Sequence, residues 1–160
     1  SVGDWRWKND VQAVIYDDYS HVEVGKVNVY SDGLPVGDAP QTQVGASMDF
    51  DIPYGFRLHA DWQFNDRMYA DFDPVTRTDP SDRSPSYRIP SYHLLGATLS
   101  WSGRSASWDG LGLTVFVAGS NLLNTMYIER GKDGAAHDLA SFRGYWGFGR
   151  NFSFGLRLEL

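Results

Sequence analysis

The clearest pattern in the chain is a strict alternation of apolar and polar positions near its end. In NFSFGLRLEL the apolar positions are Phe152, Phe154, Leu156, Leu158 and Leu160. Because successive side chains of a β-strand point to opposite faces, the segment predicts a strand with one apolar and one polar face. If the apolar face meets lipid, arginine at Leu156 costs far more stability than serine at Gly155 on the polar face.

The same alternation recurs in five earlier segments, and each predicts another long strand. Several segments are about as long as the roughly 9 to 11 residues that a strand needs to cross a bilayer. The pattern therefore favours an all-β fold, a curved antiparallel sheet of about six long strands that is a segment of a transmembrane β-barrel. The predicted strands lie near residues 5–17, 42–52, 56–65, 92–101, 111–121 and 144–160.

The connections between these strands alternate in length. Residues 53–55 and 102–110 form short connections, and residues 18–41, 72–91 and 125–143 form long ones. Bacterial barrels have short periplasmic turns and longer extracellular loops, so the long connections are predicted to be extracellular. Within the first, VEVGKVNVY predicts a pair of short strands that extend the wall. No repeat or linker interrupts the chain, and residues 1–160 are assigned to one domain.

Composition narrows the class of protein further. The 160 residues carry a net charge of -6, contain no cysteine, and include no apolar run of the roughly 18 residues that a transmembrane helix needs. The acidic balance without a Lys or Arg cluster argues against a nucleic-acid partner. No nucleophile elbow, zinc-protease or phosphate-loop motif occurs, so we do not expect an enzyme.

Alternation alone leaves two other folds open. One is a small closed outer-membrane barrel of about eight strands with a structural or adhesive role. The other is a soluble β-sandwich that serves as a binding module, in which the apolar faces pack against each other.

Two clusters of polar residues carry the candidate chemistry. An acidic loop offers oxygen ligands for calcium, but it lacks the glycine and bidentate glutamate of an EF-hand, so a solvated loop is favoured and no metal or cofactor is predicted. A second loop is rich in hydrogen-bonding groups and offers candidate contacts for a ligand, although an ordinary turn cluster is the favoured interpretation. The acidic residues are Asp71, Asp73, Asp79 and Asp82, and the ligand candidates are Glu129, Arg130, Lys132, Asp133 and His137.

Two short motifs carry a resemblance to a known family. NLLNTMY at residues 121–127 resembles the NL(F)N-x-x-Y signature of TonB-dependent outer-membrane receptors, and GRNF at 149–152 is similar to the start of their final strand. Segments 30–43 and 89–101 are also similar to that family. The positions that match the motifs are Asn121, Leu122, Asn124, Tyr127, Gly149 and Arg150.

The resemblance implies that the chain is the carboxyl-terminal part of a 22-stranded barrel in the bacterial outer membrane. It implies energised uptake of a scarce ligand, such as a siderophore, cobalamin or glycan, with TonB and the inner-membrane motor acting through an amino-terminal plug that this segment lacks. It also implies that the barrel wall meets outer-membrane lipid. The last apolar residues, Phe152 to Leu160, are implied to form the signal for the barrel assembly machinery, although the family usually ends in Phe.

Overall fold

The computed structural model describes residues 1–104 and 111–159. Strand accounts for 54% of the chain and helix for 4%, and the sheets are antiparallel, which confirms the predicted all-β class; no closed barrel is seen in the described residues. Within those ranges no helix is long and apolar enough to cross a membrane. The strands are β1 (Val11–Tyr16), β2 (Glu23–Val29), β3 (Thr42–Ile52), β4 (Phe56–Asp66), β5 (Met68–Tyr69), β6 (Arg88–Ile89), β7 (Tyr92–Arg104), β8 (Gly112–Ser120), β9 (Ile128–Lys132), β10 (Arg143–Trp146) and β11 (Asn151–Glu159).

The chain divides into two compact units. We call them the hairpin unit, which holds three two-stranded sheets, and the sheet unit, which holds one sheet of five strands. The hairpin unit is Ser1–Thr42, Asn65–Ser91 and Ile128–Trp146, and the sheet unit is Gln43–Phe64, Tyr92–Tyr127 and Gly147–Leu160.

In the sheet unit the strand order is β11-β8-β7-β4-β3. The register places apolar residues opposite apolar residues, as in the pairs Leu156 with Val115 and Leu99 with Val117. Arg157 is paired with Thr114, on the other face. The predicted separation of Phe152, Phe154, Leu156 and Leu158 from Arg157 and Glu159 is therefore confirmed, while Leu160 lies outside the described residues.

The two faces of this sheet differ in chemistry. On the polar face, the Arg57 guanidinium binds Asp51 at 2.7 Å and His59 binds Asp49 at 3.0 Å. The other face is apolar and open to the surroundings, with Phe154 90% exposed. Its other exposed members include Val44, Met48, Phe50, Ile52, Phe56, Trp62, Leu99, Val115, Val117, Phe152, Leu156 and Leu158.

The 53–55 turn and the strand ends that flank the second short connection, Arg104 and Gly112, lie at one end of the sheet, while residues 105–110 of that predicted connection lie outside the described residues. The indole Nε1 of Trp101 donates to the Tyr54 carbonyl at 3.0 Å, which brings the end of β7 to the 53–55 turn. Gly112 is paired with both Arg104 and Glu159, so the last described residue lies at the same end. Gly55 has a φ of 87°, and an added Cβ would meet the Ser102 carbonyl, so this turn needs glycine.

Gly155 lies on the polar face beneath the Phe116 ring. An added Cβ would lie 2.5 Å from ring carbons, so Gly155→Ser requires that ring to shift, and its lower cost relative to Leu156→Arg stays a prediction. Phe116 is paired with Gly155 across β8 and β11, so the aromatic ring fills the space that the missing side chain leaves. A larger residue at Gly155 must displace that ring.

Two predicted strands have different limits. The first was expected from residue 5, but β1 begins at Val11, because the backbone of Trp5 and Trp7 pairs instead with residues 33–36. The last was expected to be continuous from residue 144, but it is divided into β10 and β11. β10 pairs with β9, a strand that lies inside the predicted loop 125–143.

The hairpin unit is built around a small apolar core. Val29, Leu34 and Phe72 are buried together, with Ala13 and Val27 packed against them. VEVGKVNVY was expected to form two short strands, but it contributes the single strand β2, which pairs with β1. The reason is an earlier turn, where the Asp17 carboxylate accepts hydrogen bonds from the backbone of Tyr19 and Ser20.

Candidate functional site

The residues of the NLLNTMY motif form a tight turn after β8 in the sheet unit. Asn121 is buried, and its side chain accepts from the Thr125 N–H at 2.9 Å and donates to the carbonyls of Thr125 and Phe148 at 2.9 and 3.0 Å. The Leu122 N–H donates to the Leu95 carbonyl at 2.8 Å. The turn therefore ties β7, β8 and the approach to β11 together.

The rest of the motif completes this connection. The Asn124 side chain accepts from the Arg150 N–H at 3.2 Å, next to Gly149. Tyr127 stacks on Tyr92 with ring centroids 4.5 Å apart. Its ring also covers Gly147, where an added Cβ would clash. The structure thus brings the motif residues together, and their contacts have a structural role, because they hold the ends of neighbouring strands together.

The acidic loop does not gather its carboxylates around one point. Asp71 pairs with Lys132, Asp73 accepts from the Val75 N–H at 3.1 Å, and Asp79 accepts from the Ser81 N–H at 2.8 Å. Asp82 contacts Arg77 and His137. Among the described residues, no group of three or more His, Asp or Glu side chains could hold a metal ion.

A buried cluster centred on Arg77 lies in the hairpin unit. The Arg77 side chain is 0% exposed and binds Asp133 at 2.9 Å and Asp82 at 3.2 Å. It also donates to the Ser84 carbonyl at 2.9 Å and to the Ser86 hydroxyl at 3.2 Å. A buried charge with this many partners is compensated in place, so the cluster holds residues 77–86 against the segment that follows β9.

His137 belongs to the same cluster. Its Nδ1 lies 2.6 Å from a carboxylate oxygen of Asp133, and its Nε2 lies 2.9 Å from one of Asp82. Two predicted ligand candidates, Asp133 and His137, are therefore engaged in side-chain contacts within the protein. Sequence reasoning missed Arg77, and the available signal was a single cation among four aspartates in the acidic loop.

Asp82 makes the cluster sensitive to acid. Burial favours the protonated carboxyl, but hydrogen bonds from His137 and the Ser84 N–H and the charge of Arg77 outweigh it, so the pKa of Asp82 lies below its usual range. The fold therefore favours the ionised form. This contribution to stability is complete above the ordinary Asp value of 3.8 and is lost as the pH falls through the lower folded-state pKa.

We expect acid to weaken the hairpin unit through this carboxylate. Denaturant midpoints measured between about pH 6 and about pH 2.5 should fall more steeply for the native protein than for Asp82→Asn. The variant is expected to be less stable near neutral pH, because an amide replaces the charge that faces Arg77. An identical pH dependence in both proteins would show that Asp82 contributes nothing to acid sensitivity.

Next to the core of the hairpin unit lies an apolar cavity of about 300 Å³. Trp7 and Phe72 form part of its wall, with ring centroids 6.2 Å apart in an edge-to-face arrangement. Three polar residues, Ser31, Asp71 and Lys132, also line it. This volume and this mixture of apolar walls with a few polar groups are typical of small-ligand sites. The remaining lining residues are Val11, Ala13, Val29 and Pro74.

A second, more polar cavity of about 350 Å³ shares Lys132 with the first. Asp38, Arg130, Gly131 and Tyr145 complete its lining, and the Arg130 guanidinium lies over the Tyr145 ring, 5.5 Å from its centroid. Lys132 is paired with Asp71, and the hydrogen bond between them raises the pKa of Lys132. Arg130 forms no ion pair within residues 1–104 and 111–159.

The predicted ligand loop is thus divided between two roles. Arg130 and Lys132 line cavities, Glu129 is exposed on β9, and Asp133 and His137 join the buried cluster. The cavities offer apolar walls and hydrogen-bonding groups, which suit binding. Comparison of the chain with protein-family models, curated proteins and solved structures finds no significant match.

Proposed function

We propose that this chain forms part of the wall and the outer loops of a TonB-dependent receptor in the bacterial outer membrane, and that it belongs to a barrel of 22 strands. The receptor takes up a scarce ligand and is not an enzyme. Its partners are lipid, the barrel assembly machinery, and TonB with the inner-membrane motor acting through a plug outside this segment.

The observation that carries the proposal is the exposed apolar face of the five-stranded sheet. Phe152, Phe154, Leu156 and Leu158 are all more than half exposed, while the opposite face carries ion pairs such as Arg57 with Asp51. A sheet with lipid on one side and a water-filled lumen on the other needs this distribution. The strands of the sheet, at 9 to 13 residues, also have the length that a tilted membrane strand needs.

The alternatives fit this sheet less well. A soluble sandwich needs a second layer over the apolar face, and that face is open in the described residues. A small closed barrel needs its two edge strands to pair, but β3 and β11 stand at opposite edges of the sheet. An edge strand in lipid leaves backbone groups unpaired at a cost of several kcal/mol, so the proposed wall requires further strands of the larger barrel.

The test measures accumulation of the ligand in cells with and without TonB. We expect uptake to stop without TonB, while binding at the cell surface persists, because the plug is opened by the inner-membrane motor. A variant of the barrel that lacks only its plug serves as a control for passive leakage. Uptake that is unchanged without TonB would favour a passive pore or an adhesive barrel.

Deletion of residues 129–138 is not a suitable test of ligand contact. The deletion removes most of β9 together with Asp133 and His137, so it breaks the Arg77 cluster and the pairing with β10. Loss of binding would then follow from unfolding. Single replacements on the cavity walls separate the two causes, and Arg130→Ala is suitable because Arg130 lines a cavity and its side chain is exposed.

A further inference from the structure

Two exposed tryptophans in the hairpin unit have no part in the strands of the sheet. Trp5 and Trp7 alternate with charged residues in the segment DWRWK, and each remains 45% exposed. They line an open groove of about 590 Å³, which we call the tryptophan groove. Its members are Asp4, Trp5, Arg6, Trp7, Lys8, Asp32 and Gly33.

The backbone of the groove is held in place before any ligand arrives. The Trp7 N–H donates to the Leu34 carbonyl at 2.9 Å, and the Trp5 carbonyl accepts from the Val36 N–H at 2.9 Å and from the Gln41 side chain at 3.0 Å. The Trp7 ring is fixed by its edge-to-face contact with Phe72. A ligand therefore meets aromatic surfaces that need little reorganisation, which lowers the entropic cost of binding.

The polar groups of the groove supply both donors and acceptors, and their charges balance. Asp4 and Asp32 carry two negative charges, and Arg6 and Lys8 carry two positive charges. Arg6 donates to Asp4 at 3.0 Å and to the Gly33 carbonyl at 3.0 Å, which fixes the guanidinium plane. A balanced groove gives no net attraction to a phosphate, a polyanion or a polycation.

We propose that the tryptophan groove binds an uncharged carbohydrate. A sugar ring has an apolar C–H face that packs on an indole, and its hydroxyl groups both donate and accept hydrogen bonds around the rim. Trp5 and Trp7 supply the apolar contact, and the neighbouring carboxylates and cations supply the polar contacts. One part of this inference rests on the proposed function, namely that the bound carbohydrate is the ligand that the receptor takes up.

The experiment titrates the intact protein, purified in detergent, with neutral linear oligosaccharides of glucose, xylose and mannose, followed by calorimetry. We expect at least one to bind, and Trp5→Ala to weaken that binding about tenfold or more, as removal of a central aromatic contact does. Tyr19→Ala is the matched control, because Tyr19 is an exposed aromatic residue of the same unit outside the groove. It should leave binding unchanged.

A second variant tests the groove independently in case Trp5→Ala does not fold. Lys8 is exposed and has no ion pair in the part of the chain that the structure describes, so Lys8→Ala should weaken binding several-fold without loss of stability. Oligogalacturonate provides the acidic comparison. The proposal is overturned if no neutral oligosaccharide binds, if the acidic one binds more tightly, or if both groove variants bind as the native protein does.

These measurements distinguish a failure of the carbohydrate-binding proposal from a failure of the receptor proposal. Binding in detergent needs no energy source, so an oligosaccharide that binds but accumulates independently of TonB would overturn the receptor proposal and leave the carbohydrate site standing. An oligosaccharide that binds but never accumulates would overturn its role as cargo and leave the binding site standing.

Discussion

Replacement of Arg77 by methionine is expected to lower the free energy of unfolding of the hairpin unit by about 3 to 5 kcal/mol. The guanidinium is 0% exposed, and its removal leaves the nearly buried Asp133 carboxylate and Asp82 without their cation. The free-energy cost of leaving a buried carboxylate unpaired is far larger than the gain from packing a methionine side chain in place of the guanidinium. Denaturant titration of the intact protein, together with protection of residues 77–86 from proteolysis, measures the effect.

The matched control is Arg88→Met in the same unit. Arg88 binds Asp66 at 2.8 Å, but its side chain is 53% exposed, so its loss should cost less than about 1 kcal/mol. Comparable losses in the free energy of unfolding for the two variants would show that the buried Arg77 cluster stabilises the protein no more than an exposed ion pair does.

Replacement of Leu156 by arginine is expected to cost about 2 to 4 kcal/mol when the intact protein is unfolded from a bilayer. Leu156 lies in the middle of β11 on the open apolar face, opposite Val115. A guanidinium at that position must leave water or distort the membrane around it. Unfolding titrations in lipid vesicles give the cost directly.

Ser153→Arg is the control for this variant. Ser153 lies on the same strand, is exposed, and is paired with Ala118 on the polar face. Arginine there should be tolerated because the proposed lumen is wet. If both variants cost the same in lipid, the apolar face does not meet the membrane.

The strands of the sheet unit could be predicted because their signal is local. Alternation within β3 and β4 directly reflects the different environments of the two faces of the sheet. Both strands were predicted to within one residue of their observed limits. The division of the last strand was not predicted. It depends on Tyr127 covering Gly147 and on the hydrogen bonds of Asn121, which are contacts between segments and leave no periodic pattern.

The candidate site was less predictable for the same physical reason. Arg77 and Asp133 are 56 residues apart, and nothing in their local sequence indicates that they meet. Residue type correctly marked residues 129–138 as rich in hydrogen-bonding groups, but it could not separate side chains that line a cavity from those that are consumed by a buried ion pair. That distinction depends on which loops fold against each other.

The order of strands in the sheet has a consequence for assembly. Each strand pairs only with the sheet strands that come just before and after it in the chain, so β3, β4, β7, β8 and β11 form an uninterrupted meander. Such a topology can grow by adding one strand at a time to an existing edge, and early pairings do not await a distant segment. In the proposed receptor, the sheet can therefore enter the membrane one strand at a time, with β11 and the Asn121 turn at one edge of the growing sheet.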